Sequence, residues 1–205
     1  VPAAVSCGAC RQRPPAFDRL LAVWSYEPPL DAVLQALKFG HLEVLGARLA
    51  AAMLEPLRHQ ALESRPREAS ELPEADLVAP VPLHWRRLLV RGYNQAERIA
   101  RPLARHLGIS FGEVLSRPRA TAAQASLGRD HRRANVRRAF RARRRVSGHV
   151  LLVDDVATTG ATLDAAARAL RRGGANRVTA LAVARTPDPD ELARGPARHS
   201  RGIAF

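Results

Sequence analysis

Apolar residues recur along this chain in two alternating rhythms. The clearest strand is Val150-Leu151-Leu152-Val153-Asp154-Asp155-Val156, where five of seven residues are apolar. A run this continuous fits a parallel strand covered on both faces. A helical pattern follows it, with Leu163, Ala167 and Leu170 on one face. Between strand and helix lie Ala157, Thr158, Thr159, Gly160, Ala161 and Thr162. Residues 75–83 open a second unit of the same kind. Proline is poorly tolerated inside a sheet, so that strand is expected to stop near Ala79, before Pro80-Val81-Pro82. The helix after it carries Ala96, Ile99, Leu103 and Leu107 on one face. A third strand, Val178 to Ala184, follows a Gly173-Gly174 turn through a right-handed crossover.

The first third of the chain is less regular. Trp24 and Tyr26 indicate a small strand packing on the body. Pro28 and Pro29 open a helix with Leu30, Val33, Leu34 and Leu37 at helical spacing, closed by Lys38-Phe39-Gly40. A single further helix is expected through Leu42, Leu45, Leu49, Met53 and Leu57. Residues 58–74 read as a surface loop or helix tail. The fold class is α/β with a mainly parallel central sheet.

Charge adds a bias. The chain of 205 residues carries a formal charge of +14, and Lys38 is its sole lysine among 33 basic residues. This favours anionic partners, either phosphorylated metabolites or nucleic acid. No run is apolar enough to cross a bilayer. Two cysteines give no disulfide framework, which fits a cytoplasmic location. The start, Val1-Pro2-Ala3-Ala4, reads as a trimmed N-terminus.

The chemistry of 150–163 follows from its order. Ligands of open α/β sheets collect at the carboxyl ends of strands, where Asp154 and Asp155 stand. Backbone N–H groups of a tight loop and a helix start can converge on one phosphate. Thr158, Thr159 and Thr162 add hydroxyl donors, and Gly160 lets the loop turn. The two aspartates would repel a phosphate. They suit a vicinal diol, or a Mg²⁺ ion held through water. Phosphate on one side and diol on the other describes a ribose 5-phosphate. A Walker loop is excluded, because no lysine is present here.

This run resembles the phosphoribosyl-diphosphate (PRPP) motif of type I phosphoribosyltransferases. The resemblance implies that Asp154 and Asp155 bind the ribose hydroxyls. It also implies that Ala157, Thr158, Thr159, Gly160, Ala161 and Thr162 wrap the 5-phosphate, with Mg²⁺ accompanying PRPP. Three further features narrow it. They are Pro80-Val81-Pro82, the grouping Arg91-Gly92-Tyr93-Asn94-Gln95, and Leu34-Gln35-Ala36-Leu37-Lys38-Phe39-Gly40. With Arg132, Asn135, Val136 and Phe140, these are similar to the ComF family of competence proteins and predicted amidophosphoribosyltransferases. The implied activity is transfer of ribose 5-phosphate from PRPP to an unknown nitrogen acceptor with release of pyrophosphate. Asp154, Asp155 and Arg91 would be catalytic, with Arg91, Pro80 and Val81 facing the pyrophosphate. The alternative is a DNA-uptake accessory protein that binds PRPP or DNA without turnover. A flexible hood, expected over about 112 to 140, would close on the ligand.

Some motifs keep several readings. Cys7-Gly8-Ala9-Cys10 is half of a zinc knuckle, a free-thiol remnant or a redox pair. Zinc is doubtful, since two ligands are missing. Lys38 is either a pyrophosphate ligand or a helix-end charge. Residues 129–145 hold nine arginines and one aspartate. They read as hood plus basic surface or as a DNA arm, with weak, non-specific nucleic-acid binding expected. The expected division is a cysteine-containing segment over 1–26, a phosphoribosyltransferase-like domain over 27–190 and a tail over 191–205. Oligomerisation is open.

Overall fold

The computed structural model describes residues 14–63, 75–118 and 139–187. In chain order the elements are β1 (Arg19–Ser25), α1 (Leu30–Phe39), α2 (Val44–Ala52), α3 (Leu54–Glu63), β2 (Leu77–Pro80), α4 (Trp85–Arg91) and α5 (Gln95–Leu107). There follow β3 (Ser110–Phe111), β4 (Leu115–Ser116), β5 (Arg141–Ala142), β6 (His149–Ala157), α6 (Ala161–Arg172) and β7 (Arg177–Arg185).

The main sheet has five strands in the order β1-β7-β6-β2-β3. Every pairing in it is parallel. The strand β6 lies between β7 and β2, and its alternate side chains serve two cores, as the pleat requires. Val150 and Leu152 pack towards Leu163, Ala166 and Leu170 of α6. Leu151 and Val153 pack towards Leu34 and Leu37 of α1, Met53, and Ile99 and Leu103 of α5. Burial on both faces is why this strand lacks a polar-apolar alternation. The architecture agrees with the expected α/β fold of the type I phosphoribosyltransferase kind.

Three local expectations change. The strand β2 runs one residue past Ala79, to Pro80, which is in register with Val153. Proline is tolerated there because it ends the strand, and Val81 N–H resumes the ladder by donating to Val153 O at 2.8 Å. The region 14–26 yields an edge strand of the main sheet itself, β1 against β7, rather than a small strand packed on it. The helix through Leu42 to Leu57 is two helices broken at Met53. Pro56 explains the break. It has no N–H to give the Ala52 carbonyl, and it is accommodated in the first turn of α3.

A separate two-stranded antiparallel ladder pairs β4 with β5. These strands are the two roots of the expected hood. Residues 119–138 between them, the cysteines Cys7 and Cys10, and the tail from 188 lie outside the described residues. So do Arg132, Asn135 and Val136. Among the described residues, no helix is long and apolar enough to cross a membrane.

Candidate functional site

The carboxyl end of β6 opens into a cleft of about 890 Å³. Its walls bring together Val81, Arg91, Asp154, Asp155, Thr158 and Thr162, six of the residues singled out in the sequence. Pro80, Ala157, Thr159, Gly160 and Ala161 do not line the cleft; they shape the backbone around it. Lys38, Arg86, Arg87 and Arg117 add four cationic side chains to Arg91, against two carboxylates. The cleft is therefore basic with an acidic spot at the strand end.

That spot is tightly built. Asp154 and Asp155 are both buried. Asp154 Oδ1 accepts from Asp155 N–H at 2.9 Å, and Asp155 Oδ1 accepts from Val156 N–H at 2.8 Å. Each carboxylate is thus turned back on its own strand end with its second oxygen remaining. Burial, and then repulsion from Asp155, raise the Asp154 pKa well above the usual carboxylate range. Lys38 Nζ lies 2.8 Å from Asp155 Oδ2. This is an ion pair by distance without hydrogen-bond alignment.

The loop after β6 is pinned at its base. Gly160 takes φ +69°, the left-handed region, directly before α6. A side chain there would meet nothing closer than Phe17 Cζ at 3.8 Å, so φ rather than space demands glycine. Thr159 Oγ1 accepts from Ala161 N–H at 3.4 Å, a long capping contact. Thr158 and Thr162, on either side of this turn, line the cleft.

The Arg91-to-Gln95 grouping joins parts of the chain that are distant in sequence. Gly92 at φ +82° ends α4. Asn94 caps α5, accepting from Ala96 N–H at 3.2 Å, and its Nδ2 donates to Val81 O at 3.0 Å. Tyr93 is buried, and its hydroxyl donates to Leu37 O at the end of α1. Asn94 therefore fixes the 80–82 loop and Tyr93 fixes α1; neither is among the side chains lining the cleft. Gln95 does line it, accepting from Arg91 Nη1 at 2.6 Å. The Arg91 guanidinium also stacks 4.9 Å from the Phe39 ring centroid. Burial lowers the Arg91 pKa, and Asp155 partly opposes this.

Arg117 was not singled out by the sequence. It stands just after β4, is buried, and its guanidinium lies 5.1 Å from the Phe140 ring centroid. Burial, and then repulsion from Arg87, push its pKa down to about 10, while Asp154 pulls it up. An arginine before a proline in an irregular stretch gives no local sign of this, because Phe140, next to β5, is distant in sequence. Among the described residues, no group of three or more His, Cys, Asp or Glu side chains is placed to hold a metal.

Comparison with known proteins places the chain in a class. Residues 94–201 match the phosphoribosyl transferase domain. The DNA utilization protein YhgH of Salmonella typhi is 38% identical over 88% of this chain and 78% of that protein. Competence protein F of Haemophilus influenzae is 32% identical over 87% of this chain and 78% of its own length. A solved glutamine PRPP amidotransferase from B. subtilis, complexed with ADP and GMP, aligns with 23% identity and a TM-score of 0.41, over 68% of this chain and 26% of that one. The chain belongs to the phosphoribosyl transferase domain family, and within it to the ComF group with YhgH and competence protein F.

Proposed function

We propose that the chain is a DNA-utilization protein of the competence type that binds PRPP in the cleft at the end of β6. The observation that carries this reading is the joining, in one basic cleft, of the buried Asp154–Asp155 pair with the threonine loop at the start of α6. The two aspartates take the ribose hydroxyls. The 157–162 loop takes the 5-phosphate, and Arg91 with the 80–82 loop faces the pyrophosphate. The names of the relatives favour a role in handling DNA over a purely metabolic one.

Magnesium fits this donor set in one way. Two hard oxygen ligands suit an ion bound through one or two carboxylates, waters and the ligand's own phosphates. Asp154 and Asp155 are the residues that would hold it, and it would neutralise the diphosphate.

A second reading is transfer of ribose 5-phosphate to a nitrogen nucleophile. It is favoured by the reach of the cleft beyond the acid pair, to Tyr26 and Gln35. Chemistry of this kind rests on positioning and electrostatics and needs no protein nucleophile.

Calorimetric titration with PRPP and Mg²⁺ tests the first reading. Binding is expected for the native chain. Asp155→Ala should weaken PRPP by roughly 10- to 150-fold, the loss of a hydrogen bond to a charged group. It should weaken inorganic phosphate much less. Absence of PRPP binding at millimolar concentration would sink both readings. Pyrophosphate release that depends on added ammonia, glutamine or free base would favour the second.

A further inference from the structure

Lys38 stands apart from the other cations of the cleft. Arg91 is held by Gln95 and by the Phe39 ring, and Arg117 lies against Phe140. Among the described residues, Asp154 is within reach of the Lys38 charge, and Lys38 makes one ion-pair contact, with Asp155 Oδ2 at 2.8 Å. That oxygen is the one Val156 N–H leaves to Asp155 for other use. The pair is largely shielded, with side-chain exposures of 19% for Lys38 and 7% for Asp155. The backbone beneath Lys38 is fixed. Tyr93 hydroxyl donates to Leu37 O, and Gly40 N–H closes the helix on Ala36 O at 2.8 Å. Any movement therefore belongs to the four-carbon stem of Lys38.

We infer that Lys38 is an exchangeable counter-ion that makes the cleft select ligands carrying a second anionic group beyond the 5-phosphate. The inference rests on the proposed role of Asp155 as a ribose-hydroxyl acceptor. A ligand with only a diol and one phosphate must take Asp155 Oδ2 from Lys38. It then leaves the ammonium largely shielded and without its ion-pair contact, which is costly. A ligand with a pyrophosphate on the ribose breaks the same ion pair but gives the ammonium new oxygens. Lysine suits an exchange of this kind. Its ammonium is a compact charge with rotatable donors, whereas arginine would grip the carboxylate as a planar fork. The misaligned contact with Asp155 is a holding position of that type.

The test is calorimetric titration of PRPP, pyrophosphate and ribose 5-phosphate, each with Mg²⁺, into the native chain and Lys38→Met. The methionine keeps an unbranched stem of similar length, and Lys38→Gln serves as a second variant if it does not fold. The native chain is expected to prefer PRPP to ribose 5-phosphate by more than about tenfold. In the variant, PRPP and pyrophosphate should weaken by roughly tenfold or more. Ribose 5-phosphate should hold its affinity or gain. An equal loss for all three ligands would make Lys38 merely a support of the cleft and overturn the inference. No change in any of them would do the same. If the native chain binds ribose 5-phosphate as tightly as PRPP, the inference fails while the PRPP reading stands. If it binds neither, the PRPP reading itself fails.

Discussion

At the scale of single residues, Asp154 is the most conspicuous cost in the fold. Burial, and after it the neighbouring Asp155, hold its pKa well above the ordinary carboxylate range. In the unfolded chain it ionises at the ordinary value. Between those two values the folded state keeps a proton that the unfolded state has lost. Stability therefore falls as pH rises through that window, by at most about 1.4 kcal/mol per pH unit for one group. Asp154→Asn removes the titration. Its amide oxygen can still accept from Asp155 N–H, as Asp154 Oδ1 does at 2.9 Å. Thermal melts across pH, without ligand or Mg²⁺, should show the variant gaining stability over the native chain as pH rises from the acid range. An equal difference at every pH would contradict the assignment. A residue that weakens the fold and borders a cleft is better explained by ligand binding than by packing.

At the scale of elements, the α4–α5 junction holds the site together. Asn94 supplies both the cap of α5 and the bond to Val81 O. Asn94→Ala should lose the cap and leave a buried carbonyl without its donor, together about 2–4 kcal/mol. Chemical denaturation should measure that loss. The same variant should weaken PRPP more than inorganic phosphate, since the 80–82 loop slackens while the 157–162 loop is untouched. A stability change with both affinities intact would show that the clamp does not position the site. This junction also marks how far the sequence could be read. The sheet and the α6 start were legible because Val150 to Val153 and the Thr/Gly loop are local patterns with one physical reading each. In the sequence, Asn94 and Gln95 extend Arg91 as amide donors available to a ligand. Asn94 instead bonds Val81, and Tyr93 bonds Leu37, through contacts between residues distant in sequence. The same reason hid Arg117 against Phe140 and kept Lys38 undecided between a helix-end charge and a ligand. The break at Met53 was legible in principle from Pro56, but the apolar periodicity runs straight through it.

At the scale of the whole molecule, the parallel sheet separates two basic surfaces. The cleft with Asp154 and Asp155 lies at the carboxyl end of β6. A hollow of about 460 Å³ lies by β5 and the C-terminal end of α6, near where β6 and β7 begin, lined by Arg141, Arg144, Arg145 and Arg172. Arg141, Arg143, Arg144 and Arg145 are exposed. Arg141, Arg144 and Arg145, at the described end of the 129–145 segment, lie on this second surface, so non-specific nucleic-acid binding is expected here and not in the cleft. Two consequences can be measured by fluorescence anisotropy with a labelled oligonucleotide. The first is a steep fall of affinity with log salt, about −0.9 in slope for each phosphate neutralised on duplex DNA. Replacing Arg144 and Arg145 together by glutamine should make that slope shallower by about 2. The second is independence from the cleft: saturating PRPP with Mg²⁺ should leave DNA affinity unchanged apart from the ionic strength it adds. Competition between PRPP and DNA that survives correction for ionic strength would move the DNA surface to the cleft rim, where Arg86, Arg87 and Arg91 stand. A slope that the double replacement does not alter would remove the amino-end arginines from the DNA contact altogether.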